Sequence, residues 1–235
     1  MRVGRRGGKF AEAEPLLREA LEASRRTLGD AHPRTLVSIN DLGQLLQAQG
    51  KLDEAEPLYR EVLEAYRRTL GDAHPFTLVS IGNLGQLLQA QGKLDEAEPL
   101  LREALEARRR ALGEAHTNTL TSSRNLADLL VSVGSPSAVE KAAPLATAAL
   151  AGLRRNLGDA HASTLVALRV HGRVLAATGD AAGALAALRA SLDGLKRTGV
   201  DDDEAHKSAS ALAAVLRAQG DDAGAAAAEA EVATA

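Results

Sequence analysis

Residues 50–91 read GKLDEAEPLYREVLEAYRRTLGDAHPFTLVSIGNLGQLLQAQ, and the same pattern returns along the chain. Residues 8–49 match this stretch at 34 of 42 positions, and residues 92–133 match it at 27 of 42. Repeats of roughly 20 to 50 residues indicate solenoid proteins, in which each repeat buries its apolar face on the next. The pattern therefore predicts a single repeat array over residues 8–235, with repeats near 8–49, 50–91, 92–133, 134–178, 179–219 and 220–235.

Each repeat contains two amphipathic helices joined by a short turn. Pro75 suits the first position of a helix, leucines follow at helical spacing as far as Leu88, and Gly92 is a typical helix stop. A second leucine stripe ends at Leu112. We predict an all-α α-solenoid of antiparallel helix pairs with about 11 helices. The pairs lie near 32–70, 74–112, 117–157, 162–197 and 202–232, after a lone helix over 9–28 and a disordered basic segment over 1–7.

Composition excludes several classes of protein. Hydrophobic residues make up 45% of the 235 residues, which is enough for a core, and there is no cysteine for disulfides or thiolate chemistry. The net charge of −3 argues against a nucleic-acid partner, which usually needs a basic excess. No stretch approaches the ~18 apolar residues of a membrane span. We expect a cytoplasmic protein that binds neither nucleic acid nor membrane.

The repeat resembles a known family. Asn83-Leu84-Gly85, Leu88, Ala97, Leu101 and Ala104 match the tetratricopeptide repeat signature, although each repeat here is longer. The Gly-Asp-Ala-His-Pro linker at 71–75 is similar to that of the kinesin light chain repeats and their bacterial and algal relatives. The resemblance implies a right-handed superhelix that binds a peptide or protein in a concave groove lined by the first helix of each pair. In the fourth and fifth repeats, His171 and Glu229 depart from the signature.

The polar faces of the first helices indicate the same surface. In the early repeats this face is rich in amides, which can pair with the backbone of an extended partner. Farther along, the face becomes charged, and arginine holds carboxylates with paired hydrogen bonds. We therefore expect a protein or peptide ligand that is acidic or of mixed charge toward the C-terminal repeats. The predicted partner-binding residues are Asn40, Gln44, Gln47, Asn83, Gln86, Gln89, Arg124, Asn125, Asp128, Arg169 and Arg173.

Other residues that resemble metal-binding or catalytic groups have simpler structural explanations. The histidines of the repeated linker, His32, His74, His116 and His161, lie one repeat apart and cannot share one metal ion, so we expect turn and capping roles. His171 is expected to be a buried histidine with its hydrogen bonds satisfied. The acidic run at 201–204 is expected to be a solvated linker before a helix. We predict no metal, no cofactor and no enzymatic activity.

Three functions remain in competition. The first is a protein-interaction scaffold that binds a segment along the groove. The second is a structural spacer or self-assembling repeat fragment, with homo-oligomer formation through the N-terminal helix 9–28, whose apolar face has no partner helix before it. The third is a small-molecule sensor or an enzyme, for which the sequence offers no converging titratable groups.

Overall fold

A computed structural model describes residues 3–199 and 202–233, and within these ranges the chain is helical with no strand. The helices are α1 (Val3–Leu28), α2 (Pro33–Ala48), α3 (Leu52–Leu70), α4 (Pro75–Ala90), α5 (Leu94–Leu112), α6 (Thr117–Val133), α7 (Pro136–Leu157), α8 (Ala162–Ala177), α9 (Ala181–Thr198), α10 (Asp202–Ala218) and α11 (Asp222–Ala233). The predicted all-α fold with about 11 helices is confirmed over the described residues. We call α2, α4, α6, α8 and α10 the first helices, and α3, α5, α7, α9 and α11 the second helices.

The chain divides into two compact modules, an N-terminal module over Met1–Ala111 and a C-terminal module over Leu112–Ala235. The sequence predicted one array over 8–235, because the repeat pattern runs through the boundary without a break. Periodicity reports which faces are apolar, and it does not report how densely neighbouring helices touch. Each module is described separately below.

The first helix of the N-terminal module, α1, begins at Val3, so residues 3–7 are helical where the sequence predicted disorder. Gly7 and Gly8 each cost about 1 kcal/mol relative to alanine in a helix. They do not end the helix, because no proline or capping residue interrupts it before Pro15. Residues 1 and 2 lie outside the described part of the chain.

The turns that precede the first helices share one hydrogen bond. The Nδ1 atom of the histidine accepts from the backbone N–H two residues later, at 3.2 Å for His32 and His74 and at 3.1 Å for His116 and His161. This bond satisfies one of the free N–H groups at each helix start. The predicted capping role of the linker histidines is confirmed.

Glycines on the first helices allow the two helices of a pair to approach closely. A Cβ at Gly85 of α4 would lie 2.7 Å from Cδ2 of Leu101 on α5, and one at Gly43 of α2 would lie 3.0 Å from Cε1 of Tyr59 on α3. Leu101 and Tyr59 are both fully buried. The glycine therefore makes room for a large buried side chain on the facing helix, which explains its place in the repeat.

Salt bridges connect α1, α3 and α5 across the outer surface of the N-terminal module. They form what we call the salt-bridge ladder: Arg18–Glu54 (2.9 Å), Arg25–Glu61 (2.8 Å), Lys51–Glu14 (2.7 Å), Arg60–Glu96 (2.8 Å), Arg67–Glu103 (2.7 Å) and Lys93–Glu56 (2.6 Å). The hydrogen bond from Lys51 lowers the pKa of Glu14 to about 2, and that from Lys93 lowers the pKa of Glu56 to about 2. These charged groups thus pair from one repeat to the next.

Candidate partner-binding surface

In the N-terminal module, the predicted amide residues bring α2 and α4 side by side. Asn83 donates from Nδ2 to Oδ1 of Asn40 at 3.0 Å, which links the two first helices directly. Gln86 is exposed and folds back, donating from Nε2 to the carbonyl oxygen of Gly82 at 3.2 Å. Gln44 is also exposed. These residues form an uncharged surface of hydrogen-bonding groups.

Gln47 and Gln89 are half-buried, unlike Gln44 and Gln86. Tyr59 of α3 donates its hydroxyl hydrogen to Oε1 of Gln47 at 3.0 Å, so Gln47 satisfies a buried hydroxyl on its paired helix. Burial raises the pKa of Tyr59, which keeps that hydroxyl protonated. Gln89 is half-buried and has a partner of its own. Of the six predicted amides, Gln44 and Gln86 are thus the exposed ones.

Two exposed valines extend this surface. Val37 lies on α2 and Val79 on α4, and their side chains are 52% and 47% exposed. Residues three, four and seven positions apart share a helix face, so Val37 lies on the face of Gln44, and Val79 on the face of Gln86. The first helices of the N-terminal module therefore present apolar and amide groups together.

In the C-terminal module, the first helices carry a network of buried charges. Arg169 of α8 contacts Oδ1 of Asp128 on α6 at 3.5 Å and Oε2 of Glu204 on α10 at 3.0 Å, and only 7% of its side chain is exposed. Arg173 pairs with the same Asp128 and donates to Oγ of Ser132 at 3.1 Å. We call Arg124, Asp128, Arg169, Arg173 and Glu204 the charged cluster. It joins α6, α8 and α10.

Electrostatics keep the members of these pairs ionised. Burial alone raises the pKa of Asp128, but the charges of Arg169 and Arg173 outweigh it and hold that pKa below its usual range. Burial alone lowers the pKa of Arg169, but Asp128 and Glu204 raise it overall. The sequence predicted that Arg169 and Arg173 would meet an acidic partner, yet both already hold carboxylates of their own module.

Arg124 differs from the other two arginines of the cluster. Its Nε and Nη2 atoms both donate to Oδ1 of Asn125, at 3.2 Å and 2.7 Å. That acceptor is a neutral amide, and no carboxylate among the described residues forms an ion pair with Arg124. Burial lowers the pKa of Arg124, the charges of Glu204 and Asp128 oppose this, and the charge of Arg169 adds to it. Nearby carboxylates thus act on the charge of Arg124 without a direct ion pair.

Glu204 was missed by the sequence analysis, which placed it in a solvated linker. It lies inside α10 and pairs with Lys207 at 2.9 Å as well as with Arg169. The available signal was that α10 is itself a first helix, so that an acidic residue near its start falls beside the arginines of α8.

His171 is also different from its prediction. It occupies the position of Leu84 in the repeat, is half-buried, and its buried Nδ1 atom has no hydrogen-bond partner within the described residues. Burial lowers the pKa of His171, and the charge of Arg154 lowers it further. The expectation of a satisfied histidine was wrong.

No group of three or more histidines and carboxylates in the described part of the chain is placed to hold a metal ion. No described helix combines the length and the apolar character needed to cross a bilayer.

Comparison with known families identifies the family to which these helix pairs and turns belong. The tetratricopeptide repeat profile matches residues 5–68, 39–109 and 76–142, which together make up more than half of the chain. The chain belongs to the tetratricopeptide repeat family. The resemblance drawn from Asn83-Leu84-Gly85 and Leu101 is thereby confirmed. No curated protein matches the sequence of this tetratricopeptide repeat chain.

Solved structures share the fold. A single-substitution variant of a putative kinesin light chain from Podosopora anserina, with nearly identical TPR-like repeats, is 26% identical, with 85% of this chain and 93% of that chain covered and a TM-score of 0.65. A second structure of that protein gives 27% identity, the same coverage and a TM-score of 0.63. BtubC (BKLC) from P. vanneervenii is 21% identical over 96% of this chain and 88% of that chain, with a TM-score of 0.64. These neighbours confirm the similarity to kinesin light chain repeats.

Family membership bears on function at a coarse level. Tetratricopeptide repeats are in general protein-interaction scaffolds without an enzymatic activity of their own. The α-solenoid class predicted from the sequence is confirmed by the profile match.

Proposed function

We propose that this chain is a protein-protein interaction scaffold that binds an extended segment of a partner along its first helices. The observation that carries the proposal is a contrast within the N-terminal module. Several charged groups on α1, α3 and α5 pair with each other in the salt-bridge ladder, whereas Gln44 and Gln86 on the first helices are exposed beside Val37 and Val79.

The chemistry of the exposed first-helix groups suits a peptide backbone. A glutamine amide donates through its NH₂ group and accepts through its oxygen, so it can pair with both polar groups of an extended chain. Val37 and Val79 offer apolar contact next to these amides. The segment that binds the N-terminal module therefore needs no particular charge.

The C-terminal module adds a preference for negative charge. The charged cluster holds three guanidiniums and two carboxylates, since Arg124, Arg169 and Arg173 face Asp128 and Glu204. We propose that the partner segment is acidic where it meets α6 and α8. Arg169 and Arg173 pair with Asp128 and Glu204 within the module, whereas Arg124 forms no direct ion pair among the described residues.

Self-association is a second candidate, favoured by the exposed face of α1. Leu16 is 66% exposed, and Ala20 is exposed although its equivalents Val62 and Ala104 are each only 1% exposed. A second copy that covers this face would bury apolar surface. Static light scattering over a wide concentration range tests it, and a monomer mass at every concentration contradicts it.

We further propose that the chain is not an enzyme and acts in the cytoplasm. The first part rests on the family, and the second on the cysteine-free composition.

Selection from a library of random peptides tests the scaffold proposal. The full chain is used as bait, and enriched peptides are synthesised and measured by fluorescence anisotropy. Variants Gln86→Ala and Val79→Ser in α4 should weaken binding about tenfold in total, because both groups lie on the proposed surface.

The matched control is Arg60→Ala with Glu96→Ala, which removes one rung of the salt-bridge ladder and leaves the first helices unchanged. Its affinity for the selected peptides should equal that of the unmodified chain. If the ladder variant weakens binding and the α4 variants do not, the first-helix surface is not the binding surface. If no peptide is enriched, the result favours a structural spacer over a peptide-binding scaffold.

A further inference from the structure

One side of α1 is open to solvent, although the same sequence is covered elsewhere in the N-terminal module. Residues 12–23 of α1 and residues 96–107 of α5 both read EAEPLLREALEA. Ala104 of α5 is 1% exposed, whereas its equivalent Ala20 in α1 is exposed, and Leu16 is 66% exposed. Identical side chains therefore have neighbours on α5 that they lack on α1 within the described residues. The open face of α1 consists of Ala13, Leu16, Leu17 and Ala20.

On α5, two consecutive helices cover the equivalent face. The first helix α4 places Gly85 against Leu101, since a Cβ on that glycine would lie 2.7 Å from Cδ2 of the leucine. The second helix α3 contributes two salt bridges of the ladder, at 2.8 Å from Arg60 and at 2.7 Å from Arg67. Residues 50–91, which contain α3 followed by α4, thus show what this helix surface packs against.

α1 carries the acceptors for the same two salt bridges. Glu12 and Glu19 correspond to Glu96 and Glu103, the partners of Arg60 and Arg67 on α5. Both glutamates of α1 are exposed, and neither forms an ion pair within the part of the chain that the structure describes. The fitting occupant therefore has two arginines seven positions apart on one helix, and a glycine on the helix that follows.

We propose that the open face of α1 docks a helix pair from a different chain of the same repeat type, in which a second helix is followed by a first helix as in residues 50–91. This surface is separate from the first-helix surface of the proposed function, so the inference goes beyond that function. The glycine of the docked first helix lies against Leu17, and the arginines of the docked second helix meet Glu12 and Glu19. Apolar contact and charge thus act together, as they do on α5.

Charge favours a different chain over a second copy of this one. Arg60 and Arg67 of a second copy are already paired within its own ladder. The last second helix, α11, has Ala230 at the position of Arg60, so it offers no cation there. A second copy can cover the apolar side chains of the open face, but it leaves Glu12 and Glu19 without their donors.

A synthetic peptide of residues 50–91 is the probe, because it contains both helices of the proposed occupant. The fluorescein-labelled peptide is titrated with the full chain and followed by fluorescence anisotropy, and we expect saturable binding of one peptide per chain. A peptide with Arg60→Glu and Arg67→Glu should bind about tenfold more weakly, because two exposed ion pairs become repulsive. The full chain with Glu12→Arg and Glu19→Arg should recover the affinity for that reversed peptide.

Variants of the full chain locate the contact. Ala20→Glu should abolish binding of the probe, because it puts a charge in the centre of the open face, and circular dichroism verifies that the variant is folded. Glu22→Arg is the matched control, since Glu22 is exposed on α1 and has no counterpart in the salt-bridge ladder, and it should leave the affinity unchanged. Gln86→Ala with Val79→Ser should also leave it unchanged, which separates this site from the first-helix surface.

The remaining outcomes contradict the inference. Absence of saturable binding means that the open face does not accept a helix pair. Binding that survives Ala20→Glu in a folded variant places the probe elsewhere. Equal affinity for the original and the reversed peptide means that Glu12 and Glu19 take no part. If light scattering of the chain alone shows a dimer that Ala20→Glu abolishes, a second copy occupies the face in place of a different chain.

Discussion

Arg169 of α8 holds Oε2 of Glu204 of α10 at 3.0 Å, with 7% and 16% of the two side chains exposed. Through Asp128, the same guanidinium reaches α6. One side chain therefore connects all three first helices of the C-terminal module. Because buried ions are costly to leave without partners, this connection ties stability and the proposed recognition surface to the same residue.

Replacing Arg169 by methionine should destabilise the chain by about 3 kcal/mol, since Asp128 and Glu204 then lose a buried counterion. Urea unfolding of the full chain, followed by circular dichroism, measures the change. Arg60→Met is the matched control, since Arg60 makes an exposed pair with Glu96 whose loss should cost less than about 1 kcal/mol. Equal losses in the two variants would mean that the charged cluster contributes no more than a surface pair.

His171 should make the chain sensitive to mild acid. Burial and Arg154 lower its pKa in the folded state below the ordinary value of 6.5, so the unfolded chain takes up a proton first as the pH falls. Stability is therefore complete above about pH 6.5 and declines as the pH falls from there toward the folded-state pKa. His171→Leu, which installs the residue of the equivalent positions Leu84 and Leu126, should be more stable at neutral pH by about 1 kcal/mol.

The advantage of His171→Leu should grow on acidification, and urea unfolding of both proteins at about pH 7.5 and about pH 5.5 provides the comparison. Differences between the two proteins cancel the contribution of the other histidines. An advantage that is the same at both pH values would show that His171 does not titrate differently in the folded chain.

Lys93 should control the ionisation of Glu56. The hydrogen bond from Lys93, aided by Arg60 and opposed by burial, lowers the pKa of Glu56 from 4.5 to about 2. The stability linked to this group is present above about pH 4.5 and is lost as the pH falls toward 2. Lys93→Met should raise the pKa of Glu56 toward its ordinary value, as measured by NMR titration of the Glu56 carboxyl carbon.

Glu14 serves as the internal reference for that titration, since its own pKa of about 2 depends first on Lys51. The pKa of Glu14 should be unchanged in Lys93→Met. If the pKa values of Glu14 and Glu56 both shift, the substitution has loosened α1 and α3 in general and has not broken one contact only.

Gly85 and Leu101 should show a coupling that reflects their close approach. Gly85→Ala improves helix propensity by about 1 kcal/mol, but its Cβ would lie 2.7 Å from Cδ2 of the fully buried Leu101. We expect a net loss of about 1 kcal/mol from overpacking. In the background of Leu101→Ala, the same change should become stabilising, because the added methyl group fills part of the cavity. A double-mutant cycle by urea unfolding gives the coupling, and strict additivity would contradict the contact.

The positions of the helices could be read from the sequence because their causes are local. Pro75 begins a helix, Gly92 ends one, and the leucines between them recur at helical spacing. The histidine caps could be predicted for the same reason, since His74 acts on a backbone group two residues away. Such features repeat with the sequence and need no knowledge of tertiary distance.

The pairing of the charges could not be read in this way. Glu204 lies 35 residues from Arg169, in a part of the chain where the repeat has decayed, so no equivalent pair in an earlier repeat indicates that the two residues are paired. Gln47 was predicted to line the groove because it belongs to the amide-rich polar face of the early first helices. Its contact with Tyr59 arises because that position is leucine at Leu17 and Leu101 and only here carries a hydroxyl, which needs an acceptor when buried.

The salt-bridge ladder also bears on how such a protein changes in evolution. Arg18–Glu54 and Arg60–Glu96 are the same salt bridge displaced by one repeat, as are Lys51–Glu14 and Lys93–Glu56, so each bridge of the ladder joins one copy to the next. Duplicating or deleting one whole copy inside this region leaves every donor opposite an acceptor, whereas gaining or losing part of a copy does not. Adding complete copies therefore preserves these salt bridges, so the length of the array can change in evolution while its surface charges stay paired.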